Sequence, residues 1–581
     1  MIYTPPMKPA WIHHAPNPDR IRDLCLHMGC SPLLAGLLVS RGVETPDAAN
    51  AWLHPCFAQL RSPDALYGMD AAVDRVVAAI HKNETIMIFG DYDVDGVTAT
   101  LIVKEFLEHT GTPVIPLIPH RVEDGYSIKP HHITRNAMDA GVSLIITVDC
   151  GIGSNAAVDA ANAAGIDMII TDHHEAGDTL PNAIAIIDPK QPDCNSGLRN
   201  LAGAGVAFYL IIAVRARLRT EGFWRTRKEP NLKSFCDLVA LGTIADIVPL
   251  TGENRILAWA GLEVMRTRPR PGILSLMAAS KVTPASIDSE AVSFRMAPRL
   301  NAPGRIERAD VSLALLSAAS VAEAAPIADE LTRINTLRQQ MERETTRSII
   351  DHINANPELM EAPCLVMADD SWHPGILGIS ASRLVNRYHK PVILIAVKNA
   401  ACQGSGRSIP GVDLVACLSA CSDHLTGFGG HAMAAGVRLD ARDLPAFNQR
   451  FRSAVDAQTA GMTAAVSELS IDAVITFDRI TEASIREISR MAPFGEANPE
   501  PVFQSDHIHV IHAAPLGTGG HWRLMLEQTV SGRSYKIEAV WFNGPQQFPA
   551  RVVFEKIAYH MRINDWNGRQ RVRLSILAAV S

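Results

Sequence analysis

The sequence predicts an α/β architecture: two α/β domains joined by a long helix, plus a C-terminal β-barrel. Three observations predict it. From about Met69, short apolar runs bounded by turn residues alternate with Ala-rich stretches of helical length. The alternation restarts near Ala362, after a stretch rich in Glu, Arg and Gln with few breakers. Beyond Ser467 short strands come without matching helices, the pattern of a small barrel.

In chain order, residues 1–69 are Pro- and His-rich, then helical in pattern, and carry no visible chemistry. In 70–261 the runs 85–89, 114–118, 144–148, 167–170 and 183–187 read as buried strands, and 97–109 and 155–164 as helices between them. Strands and helices alternating at this spacing form βαβ units and a doubly wound parallel sheet. Residues 262–358 form a helical connector, with 321–354 as one long helix bridging two domains. Residues 359–460 hold the second α/β unit, with strand 364–367, helix 378–388 and strand 392–396. Residues 466–581 are the barrel.

The bulk properties exclude several classes. The longest apolar run, 206–214, is far short of the roughly 20 residues that span a bilayer, so no membrane role is expected. No apolar stretch follows a basic start in 1–16, so no signal peptide is expected. Ten cysteines are scattered from Cys25 to Cys421 without C-x-x-C pairs, which suits reduced thiols in the cytoplasm rather than a zinc site. The net charge of −7 argues against a surface coated in positive charge. Binding of a polyanion would rest on local basic stretches, such as 225–228, 266–270 and 569–573, which equally suit solvated faces.

Four places in the first α/β domain concentrate metal-binding side chains. Asp91, Asp93 and Asp95 sit in GDYDVDG (90–96), directly after a strand. In an extended segment, carboxylates at alternate positions project to one side, and their repulsion calls for a cation. An EF-hand would need further ligands, including a downstream Glu, that 97–100 does not supply. Asp149 ends the strand 144–148, Asp172-His173-His174 ends 167–170, and Asp246 lies in GTIADIVPL (242–250). A lone Asp after a strand is commonly a helix cap. Three of these four clusters, however, fall at carboxyl ends of parallel strands, where open sheets bind ligands. Carboxylates with imidazole suit Mn²⁺ better than Mg²⁺, and the ligand count exceeds one ion's needs. Two ions bridged by one carboxylate would use them all, with Asp149 the candidate bridge. In an extended segment His173 and His174 point to opposite sides, so one ligates while the other faces a substrate phosphate or orients a neighbour. The inferred reaction is phosphoester hydrolysis.

These residues resemble a known family. TDHHE (171–175) contains the name motif of the DHH phosphoesterases. With GDYDVDG, VDCG (148–151) and GTIADIVPL it is similar to the motifs of the RecJ branch, in order. SFRMAPRLNAPGR (293–305), SWHPGILGISASRL (371–384), GSGRS (404–408), FGGHAMAAG (428–436) and PFGEANPEPVF (493–503) extend the likeness through a DHHA1 domain into an OB-fold, over roughly 70–575. The resemblance implies a 5′→3′ exonuclease specific for single-stranded DNA, releasing 5′-mononucleotides with two divalent ions, Mn²⁺ or Mg²⁺, in DNA repair and recombination. It implies Asp93, Asp95, Asp149, His173 and Asp246 as metal ligands, and Asp91 as a direct or outer ligand. It implies His174 near the scissile phosphate and Asp172 holding an imidazole. Arg121, Tyr126, Arg299, Arg305, His373, Ser405, Arg407, Ser408, Gly429, Gly430 and His431 are the implied substrate contacts. The guanidinium of Arg407 suits a bidentate grip on a 5′-phosphate, and Gly429-Gly430-His431 allows close backbone approach to one. The implied partners are single-stranded DNA with a 5′ end, single-strand-binding protein and other repair proteins. In the barrel, Trp522, Tyr535, Trp541, Phe542 and Trp566 interleave with Arg523, Lys536, Arg562 and Arg569, as stacking on a single strand requires, with only one or two of the aromatics expected to be exposed. Two positions depart from the family pattern: Ser127 and Ala497 stand where glycine is common.

Overall fold

The computed structural model describes residues 10–398, 400–462, 468–517, 520–545, 548, 552–566 and 569–580. It divides into two compact units. One is built on Arg61–Val248 and Ala260–Ala464, the other on Met7–Leu60, Pro249–Trp259 and Ala465–Ser581.

In the first unit, β1 (Ile86–Gly90), β2 (Val114–Leu117), β3 (Leu144–Val148), β4 (Asp167–Thr171) and β5 (Ala185–Ile187) form a parallel sheet in the order β2-β1-β3-β4-β5. β1 and β3 are buried along their whole length, as their unbroken apolar runs require. The strand order reverses between them, so the chains leaving β1 and β3 diverge and open a crevice at their carboxyl ends.

Three helices border that crevice: α1 (Val94–Thr110), α2 (Gly203–Thr220) and α3 (Cys236–Ala245). α1 begins three residues earlier than its apolar pattern suggests, because Asp93 caps it: Oδ1 accepts from the N–H groups of Asp95 and Gly96 at 2.9 and 3.1 Å. The extended reading of 91–95 is therefore corrected, since Asp95 lies in the first helical turn. α3 ends next to that turn. A Cβ on Gly242 would lie 2.5 Å from both Asp95 Oδ1 and Thr98 Oγ1, so only glycine fits. At the other ends of the same helices, Arg270 joins Glu105 of α1 at 2.8 Å to Asp237 of α3 at 2.9 Å. Burial opposes the charge on Arg270, but the two carboxylates outweigh it and raise its pKa.

The long helix α4 (Val321–Ala355) leads to a mixed sheet of β6 (Leu365–Asp369), β7 (Val392–Lys398), β8 (Ala401–Arg407), β9 (Gly427–His431) and β10 (Ala434–Asp440), ordered β9-β10-β8-β7-β6. α5 (Leu377–Tyr388) connects the parallel pair β6 and β7.

In the second unit, β11 (Phe503–Pro515), β12 (Trp522–Val530), β13 (Arg533–Trp541), β14 (Val552–Trp566) and β15 (Arg569–Val580) close into a barrel, because β11 pairs with both β12 and β14. The strands run from 9 to 15 residues, longer than the short strands expected. Leu24, Leu34 and Leu38 of the N-terminal helices share one apolar core with Phe503, Ile557 and Leu574 of the barrel. Within the stretch 1–69, residues 10–60 thus belong with the barrel.

The two departures from the family pattern also acquire a physical meaning. Ser127 and Ala497 adopt left-handed backbone, φ 65° and 57°, a conformation that favours glycine. Ser127 offsets part of the strain by hydrogen bonding Ser154 Oγ at 2.8 Å, whereas the Ala497 methyl has no such compensation. Ala497→Gly is expected to stabilise the protein by about 0.5–1 kcal/mol in urea unfolding, and a loss of stability would contradict this. Arg270→Ala leaves Asp237, 1% exposed, without its cation. It should cost about 3–5 kcal/mol in the same assay, and an unchanged midpoint would refute the clamp.

Candidate metal centre

The acidic and imidazole groups converge at the crevice between β1 and β3. Ligand atoms of Asp91, Asp93 and Asp149 lie within 4.8 Å of one another, and so do those of Asp95, His173 and Asp246. The two groups meet at Asp149, whose Oδ1 is 3.0 Å from His173 Nε2. His173 Nε2 is in turn 3.6 Å from Asp246 Oδ2 and 3.8 Å from Asp95 Oδ2. Asp149 leaves β3 in left-handed backbone, φ 60°, a strained turn held at the centre of the cluster.

Several of these atoms have no hydrogen-bond partner despite full burial: Asp91 Oδ1, Asp149 Oδ1 and His173 Nε2. His173 Nε2, facing Asp149, Asp95 and Asp246, is left without a hydrogen-bond partner. Burial, then the charge of His174, lowers the His173 pKa to about 3, so the ring stays neutral. Burial and then neighbouring carboxylates push Asp95 up to about 7 and Asp246 up to about 8, and hold Asp91 and Asp149 well above the usual range. Unpaired carboxylates and an imidazole nitrogen facing one small space form a donor set fit for divalent cations.

The neighbouring backbone shapes this space. Asp95 accepts from the N–H groups of Gly203 and Ala204 at 2.6 and 2.9 Å, at the positive end of α2. A Cβ on Gly203 would lie 2.6 Å from Asp149 Oδ1. Sequence reasoning passed over Gly203, Ala204 and Gly242, whose only trace is the small-residue run 202–205 and the glycine before Thr243.

His174 plays a different part. Its Nδ1 donates to Asp172 Oδ1 at 2.7 Å, and Asp172 Oδ2 accepts from the Ile152 N–H at 2.9 Å. Burial disfavours the charged ring, but Asp172 outweighs it and raises the His174 pKa to about 9. The His173 and His174 rings are 4.6 Å apart, edge to face, and the ligand atoms of both lie within 4.8 Å of one from Asp149. This corrects the expectation that they point to opposite sides. What separates them is the Asp172 bond, which occupies Nδ1 of His174. The Tyr126 hydroxyl lies 3.2 Å from that nitrogen.

A basic group lies in the same unit. Burial, followed by the charges of Arg121, Arg338 and Arg407, lowers Arg305 to about 10. Arg407 donates to Ser405 Oγ at 3.2 Å, and a Cβ on Gly378 would sit 2.8 Å from its Nη2. The Arg121 guanidinium lies 4.7 Å over the Tyr92 ring. His373 accepts from the Gly375 N–H at 3.1 Å, in a turn packed on the backbone of Arg305. Strand register brings the remaining residues into line. His431, Ala434 and Arg407 form one cross-strand row, and Gly429, Gly436 and Ser405 the next but one, so these side chains share a face. Gly430, φ 140°, falls between those rows on the exposed edge strand β9. Two residues are otherwise engaged. The Ser408 hydroxyl donates to the Val412 carbonyl at 2.6 Å, and Arg299 bonds Thr332 Oγ1 at 3.2 Å and the Arg295 carbonyl.

A second Asp–His group, Asp124, His131 and His132, spans the loop after β2 and the helical turn that follows it. His132 Nδ1 accepts from the Lys129 N–H at 2.9 Å, so the neutral ring carries its proton on Nε2 and cannot ligate there. Asp124 instead stiffens the loop bearing Arg121 and Tyr126 by accepting from the His120 N–H at 2.7 Å.

Fold and site together define a chain of the DHH class. The family model for the DHH family, N-terminal domain, matches residues 85–243, the DHHA1 domain 361–457, and the RecJ OB domain 471–578. The single-stranded-DNA-specific exonuclease RecJ of Bacillus subtilis is 37% identical over 579 residues, covering 99% of this chain and 71% of that protein. That of Escherichia coli is 34% identical over 559 residues, covering 94% and 95%. The chain belongs to the RecJ family. Among solved structures, RecJ from Thermus thermophilus in complex with Mn²⁺ superposes with a TM-score of 0.82 at 29% identity, covering 98% of this chain and 79% of that one. An exonuclease RecJ bound to manganese gives 0.59 at 34% identity, covering 71% and 99%. Among the described residues, no helix is long and apolar enough to cross a membrane.

Ligation by Asp95 and Asp246 requires that both lose the protons their raised pKa values retain. Mn²⁺ should therefore bind more tightly as pH rises from 6 to 8, by up to about tenfold per pH unit for each proton displaced. The thermal shift caused by Mn²⁺ should be larger at pH 8 than at pH 6, and should vanish in Asp149→Ala. An equal or smaller shift at pH 8 would contradict the ligand set.

Proposed function

We propose that the protein is a two-metal exonuclease specific for single-stranded DNA, degrading it 5′→3′ to 5′-mononucleotides in DNA repair and recombination. The observation that carries this reading is the meeting, at Asp149, of the trio Asp91, Asp93 and Asp149 with the trio Asp95, His173 and Asp246. The names of its relatives, and the Mn²⁺ in related structures, support it.

Asp91, Asp93, Asp95, Asp149, His173 and Asp246 are the residues that would hold two divalent cations, Mn²⁺ or Mg²⁺. When bound, they supply Lewis-acid activation of water and neutralise charge on the phosphate. The chain's own groups do the rest. Asp172 fixes the proton on His174 Nδ1, so a charged imidazolium presents its Nε2 proton to a phosphate oxygen. Arg407, Ser405, His373 and Arg305 take the 5′-phosphate, with the backbone of Gly429 and Gly430 and the His431 ring along the same face. Arg121 and Tyr126 hold the nucleotide near His174. Arg299 and Ser408 act through the elements they brace.

We assign catalysis to 70–261, the connection to 262–358, the 5′ end to 359–460 and strand binding to 466–581. Phe542, 53% exposed, is the barrel aromatic best placed to stack a base. Trp522, Tyr535 and Trp541 pack against the barrel core. The side chains of Trp566 and Arg569, also expected to contact the strand, lie outside the described residues. A cytoplasmic setting with single-strand-binding protein and repair partners belongs to the same reading.

Digestion of a 5′-phosphorylated oligonucleotide tests it. Mn²⁺ should support stepwise loss of mononucleotides, a chelator should stop it, and blunt duplex should resist. Asp149→Ala should be inactive, and His174→Ala slower by roughly 10²–10⁴-fold. Equal digestion of duplex, or undiminished activity in Asp149→Ala, would overturn the assignment.

A further inference from the structure

One large apolar side chain, in a turn that touches the segment before Asp246, is exposed. Phe294 is 77% exposed, while Val292 and Met296 on either side are fully buried. The turn is thus anchored by Val292 and Met296 while Phe294, beside the exposed Arg295, faces outward. These residues lie in a π-helical turn, Val292–Met296, a widened turn that accommodates one more residue than an α-helix would and is frequent at functional sites.

This turn opens a segment that follows the rim of the centre. Ser293 Oγ lies 3.5 Å from the Ile244 carbonyl, two residues before Asp246. Further on, Asn301 accepts from the Val94 N–H at 3.1 Å, one residue after Asp93. A Cβ on Gly304 would lie 2.5 Å from the Tyr92 carbonyl. The segment thus reaches from the Asp246 side to the Asp93 side, with Phe294 at the Asp246 end. There Ile247, directly after that ligand, is 69% exposed and held in left-handed backbone, φ 60°, an outlier for a β-branched residue. A strained apolar residue follows Asp246, and the turn that bears Phe294 touches the residue two before it.

Resting on the function proposed above, we infer that Phe294 is the platform on which a base of the single strand stacks while a phosphate of that strand lies at the metal centre. An enzyme that reads no sequence needs a contact common to all four bases, and the π-face is that contact. A stacked base also anchors the strand where the acidic centre itself offers no attraction to phosphate without its cations.

The test compares Phe294→Ala and Phe294→Trp with the wild type, in Mn²⁺, on two 5′-phosphorylated strands of equal length. One carries ordinary bases and the other is abasic throughout. On the ordinary strand, Phe294→Ala should raise KM roughly 5- to 150-fold with kcat little changed, and Phe294→Trp should restore it. On the abasic strand all three proteins should behave alike. An unchanged KM for Phe294→Ala on the ordinary strand would overturn the stacking role. Equal losses on both strands would do so too, because they would mark a structural residue. Failure of the wild type to cut the ordinary strand would instead remove the functional reading on which the inference rests.

Discussion

Mutual repulsion among buried carboxylates organises this structure. Asp91, Asp95 and Asp149 are almost wholly withdrawn from water, and with Asp246 each is pushed toward its protonated form by burial and by the others. A chain gains nothing in stability from such a cluster. It persists because the surrounding scaffold holds the groups in place, and its energetic complement is a pair of cations. The fold gives the cluster its location, since a parallel sheet whose order reverses between β1 and β3 leaves a crevice at that point and nowhere else in the sheet.

The supports act at a distance from the centre. Arg270 ties the far ends of α1 and α3, so the near ends that carry Asp93, Asp95 and Asp246 keep their spacing. Gly203 and Gly242 lack the Cβ atoms that would otherwise crowd the carboxylates of Asp149 and Asp95. The positive end of α2 grips both oxygens of Asp95. The two adjacent histidines are divided between roles by one carboxylate: Asp172 claims Nδ1 of His174, while His173 keeps its Nε2 toward the acidic groups.

Much of this was legible in the sequence. The parallel strands were visible because buried strands read as unbroken apolar runs, and the β3 boundaries agree to the residue. The DHH and GDYDVDG motifs pointed to acidic and imidazole groups that the fold does bring together. The conformation of 91–95 was misread because an apolar pattern cannot show that Asp93 caps a helix. The relation of the histidine rings was missed because it depends on a turn, not on strand alternation. The placement of 10–60 with the barrel was hidden because amphipathic helices do not declare which apolar surface they cover. The roles of Arg270, Gly203 and Gly242 were hidden for a similar reason: their importance lies in what stands opposite them in space. The departures at Ser127 and Ala497 were visible, but only the φ angles explain why glycine suits those positions.

The central claim is that the acidic groups form one two-cation centre with Asp149 between the ions. Anomalous diffraction at the manganese edge, from crystals grown with Mn²⁺, tests it most directly. Two peaks about 3.5–4 Å apart, both within coordination distance of Asp149, are the result the account predicts. A single peak, or manganese bound away from Asp149, would contradict it.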